Sequence, residues 1–262
     1  MADLLVTVVV PAYNAAATIA ETLESVAAMQ VSEVETLVVD DASTDDTAAI
    51  VAAAAGRLPN LRMVRLPHNG GLSGARNAGI REARGAILGF LDADDLYARD
   101  FVPRCLTAFV AEATAAAIIV GVEVFACDRP IHQRQLAAVQ NTMACNLLVR
   151  REVCELIGGF PEGPAFRGKV GGEDAPFRQI LRRHFREGHV PRPLLRHRFR
   201  RGGHLDYFLS RSRVDGERLL LLEQAPEERD GSLAAAIRRH DEAFQRRLLA
   251  AHRLTKPQNI GA

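Results

Sequence analysis

The chain opens on an apolar run, "LLVTVVV" (4–10), that stops at Pro11. Similar runs recur as "ETLVVD" (35–40), "LRMVRL" (61–66), "AILGFL" (86–91) and "AAIIVGVEVF" (116–125). Short runs rich in Val, Ile and Leu, with little polar alternation, are the pattern of strands covered on both faces. Between them the period lengthens. Ile19, Leu23 and Val26 share one helical face, and Thr18 with Glu21 has the spacing of a capping box. "DDTAAIVAAAAG" reads as a second helix stopped at Gly56, and "SGARNAGIREARG" as a third with Ser73 as its cap. Strand–helix alternation of this kind predicts an α/β fold, a Rossmann-like α/β/α sandwich around a mostly parallel central sheet. Ligands bind such sheets beyond the C-terminal strand ends. The polar clusters "PAYN", "DDASTDD" and "DADD" fall there, after the first, second and fourth runs.

After residue 150 the pattern changes. "RREVCELIGGF" predicts a short helix ended by Gly158 and Gly159, and "PEGPAFRGKVGGED" a Gly/Pro-rich loop. A basic helix over 175–186 follows, then "HVPRPLLRHRFRRGG", then a mostly helical extension over 205–262 interrupted at "EQAPEERDGS". The expected organisation is one domain over 1–204, with halves meeting near 125, and that extension.

Composition narrows the function classes. The chain has 262 residues, 48% hydrophobic and 25% charged, which is ordinary for a globular protein. No stretch of about 18 apolar residues suggests a membrane span, and "LLVTVVV" lacks the basic flank of a signal peptide. Cys105, Cys127, Cys145 and Cys154 form no CxxC pair, so reduced thiols, no zinc site and a cytoplasmic location are expected. The net charge of +1 conceals an asymmetry: residues 1–130 hold 9 Arg against 17 Asp and Glu, net −8, and the remainder is net +9. An acidic half beside a basic half suits a cation in one and an anionic ligand in the other. The first strand runs into "PAYNAA" rather than GxGxxG, and no GxxxxGK[ST] occurs, which argues against NAD and P-loop chemistry.

The densest chemistry is "FLDADDLY", where Asp92, Asp94 and Asp95 fall within four residues. Like charges this close need a reason. A bound cation, a solvated turn and a helix cap all supply one.

Taken together, "VTVVVPAYNAAATIAETLESV", "VETLVVDDASTDDT", "NGGLSGARNAGIREARGAILGFLDADD", "LIGGFPE" and "GGEDAPF" stand in the order seen in family 2 glycosyltransferases, which the chain resembles over roughly residues 5–205. The resemblance implies a GT-A-type fold and transfer of a sugar from a nucleotide-diphosphate donor, UDP-linked by expectation, with inversion at the anomeric carbon. It implies that Asp92, Ala93 and Asp94 form a DxD motif holding Mn²⁺ or Mg²⁺ against the donor diphosphate. Asp94 is then the direct ligand, Asp92 reaches the ribose or a metal-bound water, and Asp95 is left as a turn or cap residue. Pro11, Tyr13 and Asp41 would line base and ribose, with Asp41 accepting from the uracil N3–H. Arg76 would bind the diphosphate near the N-terminus of its helix, or pair internally with the acidic triplet. Asp174, beside Glu173, stands at the general-base position and is also a natural N-cap. The Ala175-Pro176 that follows replaces the large residue common in the family. His197 is expected to complete the metal shell, with His204 as competitor.

The implied partners are a nucleotide-sugar donor and a saccharide or lipid-linked saccharide acceptor, in polysaccharide, glycolipid or glycoconjugate synthesis, with no nucleic acid; the oligomeric state is open. Two other classes compete. A sugar nucleotidyltransferase needs a basic Gly-rich loop after the first strand, which "PAYNAAATIAE" lacks. A non-catalytic donor-binding subunit fits the donor motif but has no use for the Glu-Asp pair. Finally, Leu233, Ile237, Phe244 and Leu248 share a helical face, with Arg238, Arg239, Arg246 and Arg247 elsewhere around it. Such a helix can lie peripherally on anionic lipid, or pack its apolar face on the catalytic domain, which is the stronger alternative.

Overall fold

The computed structural model describes residues 5–167, 172–221 and 232–255. The five apolar runs become strands: β1 (Val6–Ala12), β2 (Val34–Asp40), β3 (Leu61–Arg65), β4 (Ile87–Phe90) and, after the two-residue β5 (Leu96–Tyr97), β6 (Ala117–Phe125). The predicted helices follow as α1 (Ile19–Ala27), α2 (Thr47–Ala54) and α3 (Gly71–Glu82), with α4 (Phe101–Ala111) between β5 and β6. Then come α5 (Gln133–Gln140), β7 (Leu147–Arg150), α6 (Arg151–Ile157), α7 (Asp174–His184) and β8 (Glu187–Arg198).

Eight strands form one sheet in the order β3-β2-β1-β4-β7-β6-β8-β5. β1 pairs in parallel with β2 and with β4, Val6 standing opposite Val34 on one side and Ile87 on the other. β2 pairs in parallel with β3, and β6 with β8. β7 enters antiparallel between β4 and β6, and β5 closes the far edge antiparallel to β8. The sheet is therefore mostly parallel. Alternation of side chains along each strand divides the core in two. Val6, Val8 and Val10 pack with Leu23 of α1, Val51 of α2 and Phe101 of α4. Val9, Leu37 and Val39 turn the other way, to Ala78 of α3, Ile157 of α6 and Phe177 of α7. This is the expected α/β/α sandwich.

The extension is less helical than expected. α8 (His204–Ser210) is followed by an antiparallel hairpin of β9 (Ser212–Asp215) and β10 (Arg218–Leu221), and only then by α9 (Ser232–Thr255). The interruption expected over 223–232 lies outside the described residues save Ser232. The apolar face of α9 packs on the catalytic domain: Phe244 is fully buried, its ring 4.9 Å from His184 and 6.2 Å from Phe185. Arg238, Arg239 and Arg246 face outward. No described helix is long and apolar enough to cross a membrane.

Two helix starts also differ from expectation. The Thr18 side chain does not cap α1; its hydroxyl donates to the Ala93 carbonyl at 2.8 Å, and Glu21 pairs with Arg198. α3 begins at Gly71, two residues before Ser73. Its cap comes from another element: the Asp41 carboxylate accepts from the N–H groups of Gly70 (2.6 Å) and Gly71 (2.8 Å).

Candidate active site

The C-terminal ends of β1, β2 and β4 meet above α3. β1 ends with Pro11 and Ala12 buried and hands on to Tyr13, which is 52% exposed at the rim. β2 ends in Asp40 and leads to Asp41, which is 2% exposed and whose two oxygens hold the loop at Gly70 and Gly71. β4 leads into Asp92–Asp95.

Each of the three carboxylates has its own partner. Asp92 Oδ1 accepts from Arg76 Nη2 at 2.8 Å. Arg76 projects from α3, is fully buried, and reaches the other way with Nη1 to Asp174 Oδ1. The second Asp174 oxygen accepts from the Ala144 N–H at 3.0 Å. The guanidinium also lies 5.1 Å from the centroid of Phe160, which stacks on Phe177 at 4.5 Å. One buried cation thus ties the β4 motif to the first residue of α7. The coulombic hold of Asp174 and Asp92 outweighs desolvation and pushes the Arg76 pKa up, so the charge is permanent.

The "LIGGFPE" segment serves this arrangement. Gly158, in the left-handed region at φ 88°, ends α6. Gly159 also has positive φ, and a Cβ there would meet Asn77 Oδ1 at 2.2 Å. That close approach lets Asn77, next to Arg76, bond both ways with the Phe160 backbone at 2.8 Å.

Asp95 departs from its expected role as a solvated turn or cap residue. It is fully buried, accepts from the Arg198 N–H at 2.9 Å, and lies 2.8 Å from His197 Nδ1. A carboxylate on one imidazole nitrogen fixes the tautomer and frees the other as a ligand, the arrangement typical behind metal-bound histidines. Burial disfavours the imidazolium, but Asp95 and then Asp92 and Asp94 more than compensate, so the His197 pKa is raised. His204 is exposed at the start of α8. Among the described residues, the group of His, Cys, Asp or Glu side chains whose ligand atoms lie within 4.8 Å of one another is Asp95, Cys145 and His197. Cys145 is a poor third donor, since burial and the flanking Asp92 and Asp95 hold its thiol well above the usual range.

Asp94 is the third carboxylate, its side chain 13% exposed, and its partner is Arg200. Burial and then the crowding of Asp95 and Asp92 push its pKa up to about 6, against the opposing pull of Arg200 and His197. With Asp92 and Asp95 held by buried Arg76 and by His197, Asp94 is the carboxylate that a divalent cation would meet. Asp94 carboxylate oxygens and the His197 imidazole are donors of the kind Mn²⁺ accepts and Mg²⁺ tolerates, but Asp94 is not in the group of described residues whose ligand atoms lie within 4.8 Å of one another.

Glu173 and Asp174 divide differently than their sequence suggests. Glu173, rather than Asp174, occupies the N-cap position of α7, and it makes no side-chain cap bond. It is 9% exposed, its Oε2 has no hydrogen-bond partner, and burial followed by the nearby Asp174 charge pushes its pKa up to about 7. Asp174, with 21% of its side chain exposed, also has a raised pKa: burial dominates, against Arg76.

Sequence reasoning missed Arg198, Arg200 and Thr18 as parts of the site. The signal was the arginine-dense "RHRFRR", whose β8 register puts residues 196–198 beside Glu123–Phe125 and the segment after it over the acid cluster.

Comparison with known proteins follows the same lines. The Glycosyl transferase family 2 model matches residues 7–187. Succinoglycan biosynthesis protein ExoO of Rhizobium meliloti (strain 1021) is 46% identical over 101 residues, 38% of this chain and 28% of that protein. S. aureus TarS 1-349, solved in complex with UDP-GlcNAc, superposes with a TM-score of 0.65 at 24% identity, covering 77% of this chain and 60% of that one. Mannosyltransferase PcManGT from Pyrobaculum calidifontis, solved with GDP-Man and Mn²⁺, gives 0.58 at 23% identity over 94% and 74% of the two chains. The chain spans little more than a quarter of the length of ExoO. At these identities the structural likeness speaks for the fold, a GT-A-like arrangement.

Proposed function

The chain belongs to glycosyl transferase family 2, and from that premise we propose that it moves a sugar from a UDP-linked donor to an acceptor hydroxyl, with a divalent cation and with inversion at the anomeric carbon. The observation that carries this reading is the double ion pair of buried Arg76, which sets the donor-side Asp92 and the acceptor-side Asp174 in one rigid network. A protein that only bound a donor would have no use for the second half of that network.

Asp174 is the general base. It takes the proton of the acceptor hydroxyl while that oxygen attacks C1 from the face opposite the diphosphate. Burial raises its pKa above the ordinary carboxylate value, against the pull of Arg76 and the Ala144 N–H, which makes it a stronger proton acceptor than a solvated aspartate. Tyr13 stands exposed at the rim, where it would pack on the base; the Asp41 oxygens, expected to accept from the uracil N3–H, are buried and engaged by Gly70 and Gly71, so Asp41, like Pro11, would shape the floor beneath base and ribose. Held on Asp94 and His197, Mn²⁺ or Mg²⁺ would neutralise charge on the departing diphosphate. Arg76 adds fixed positive potential to the same region. Arg167, within the loop expected over 161–172, donates from Nη2 to the Asn69 carbonyl at 3.1 Å, which ties the described part of that loop to the start of α3. Residues 168–171 of that loop lie outside the described part.

Relatives support the substrate class: ExoO acts in succinoglycan biosynthesis, and the two solved neighbours hold UDP-GlcNAc and GDP-Man with Mn²⁺. The acceptor is accordingly a saccharide or a lipid-linked saccharide. The test is a panel of UDP- and GDP-sugars with Mn²⁺ or EDTA. Metal-dependent release of nucleoside diphosphate is expected. Pyrophosphate release would point to nucleotidyl transfer, and binding without turnover to a donor-binding subunit.

A further inference from the structure

The three motif carboxylates differ in how firmly they are held. Asp92 is locked by Arg76, which has no solvent exposure, and Asp95 by His197 and the Arg198 backbone. Asp94 alone of the three pairs with a side chain that stands largely in water: Arg200 is 56% exposed. The main chain around Arg200 is nonetheless fixed. Arg198 donates from Nε to the Asp94 carbonyl at 3.0 Å, Phe199 N–H bonds the Phe125 carbonyl at 2.9 Å, and Gly203 N–H bonds the Arg200 carbonyl at 3.1 Å. A rigid backbone therefore presents a movable guanidinium over one exchangeable carboxylate.

We propose that Arg200 is a stand-in cation that neutralises Asp94 in the metal-free enzyme, yields it to the divalent ion, and then binds the donor diphosphate. The inference rests on the donor-site reading above. A guanidinium has donors and no acceptor, so once displaced from Asp94 it needs another anion. A diphosphate held by the ion would supply that anion, because arginine forks match phosphate oxygens. Two consequences follow. The ion alone binds weakly, because it must displace Arg200 with nothing to receive it. Ion and nucleotide favour each other, because the nucleotide receives the displaced arginine, and that coupling is reciprocal.

The test is calorimetric titration of the intact parent and the Arg200→Ala variant with Mn²⁺ alone, and with UDP in saturating Mn²⁺. Removing the competitor should tighten Mn²⁺ alone by at least about threefold, and weaken UDP in saturating Mn²⁺ by at least about fivefold, within the usual range of such couplings. Arg200→Gln, which keeps most of the stem without the charge, should shift both affinities in the same directions. A structural role would weaken both titrations together. If both variants bind Mn²⁺ alone no better than the parent does, the inference is wrong. If the parent itself binds neither Mn²⁺ nor UDP, the donor-site reading falls and takes this inference with it.

Discussion

Asp174 sits at the first position of α7 with both oxygens engaged, by Arg76 and by the Ala144 N–H. From the sequence, Asp174→Asn looks harmless to stability, because asparagine caps helices as well as aspartate does. The geometry changes that expectation, since the side chain is one of two anions facing a fully buried arginine. The variant should lose at least about a hundredfold in transfer rate and on the order of 1–3 kcal/mol in stability, while UDP–Mn²⁺ affinity changes little. Initial rates, thermal unfolding and calorimetry check the three parts, and transfer within about tenfold of the parent would remove Asp174 from the base role. Glu173 gives the opposite kind of test. Its native pKa of about 7 lies above the ordinary 4.5, so the native state keeps its proton longer than the unfolded chain does. Its ionisation therefore costs stability progressively as pH rises from about 4.5 to about 7, with a ceiling near 3 kcal/mol. Glu173→Gln should remove that slope. Urea unfolding at pH 5, 6, 7 and 8 should show the variant gaining on the parent up to pH 7 and level beyond; parallel profiles would rule the ionisation cost out.

The elements show where sequence pattern stops being sufficient. Apolar runs located β1, β2, β4 and the start of β6 because strands covered on both faces have no other composition available; β3, at the sheet edge and without a buried residue, was legible from its β-prone run alone. Helix starts were less legible, because the side chains that normally cap were recruited by tertiary partners. Thr18 and Glu21 reach Ala93 and Arg198 instead of their own helix, and Asp41 caps α3 from 29 and 30 residues away. β8 was hidden by Pro191 and Pro193. Proline cannot donate to a ladder, and the sheet absorbs the pair by shifting register between Val120 and Val122 on the neighbouring strand. The acid cluster was legible as chemistry, but its assignment to separate partners was not. Only the Arg76 pairing, to Asp92, was among the sequence alternatives; the partners of Asp94 and Asp95 are His197, Arg198 and Arg200, from a segment about 100 residues later. At this scale Gly79 is the sharpest test. A Cβ there would meet Val9 Cγ1 at 2.2 Å, so α3 lies on β1 too closely for any side chain. Gly79→Ala should destabilise by about 1–3 kcal/mol despite alanine's better helix propensity. Because α3 holds Arg76, donor affinity should fall with it. A variant as stable as the parent in urea would show that the helix can move away at no cost.

For the whole molecule, the two halves divide the work as the charge asymmetry suggests. The acidic first half supplies Asp92, Asp94 and Asp95, and the basic second half supplies His197, Arg198 and Arg200 around them, while Arg76 and Asp174 run counter to that division. α9 belongs to this same body. Phe244 is fully buried among Phe177, Ile180 and Leu181 of α7, and Arg247 Nε caps α6 by donating to the Leu156 carbonyl at 2.9 Å. Phe244→Ala should cost about 3–5 kcal/mol and lower transfer through a loosened α7. Urea denaturation beside initial rates would check this, and an unchanged midpoint would make α9 an appendage. The placement of Phe244 also has a meaning in time. A ribosome completes α7 about 60 residues before Phe244, and α6 earlier still. At about 5–20 residues per second, the apolar underside of the helix that begins with Asp174 stays bare for several seconds in every newly made chain. The nascent chain thus shows this apolar face until α9 emerges, and slowing translation between α7 and α9 should cost soluble yield even where the folded protein is stable.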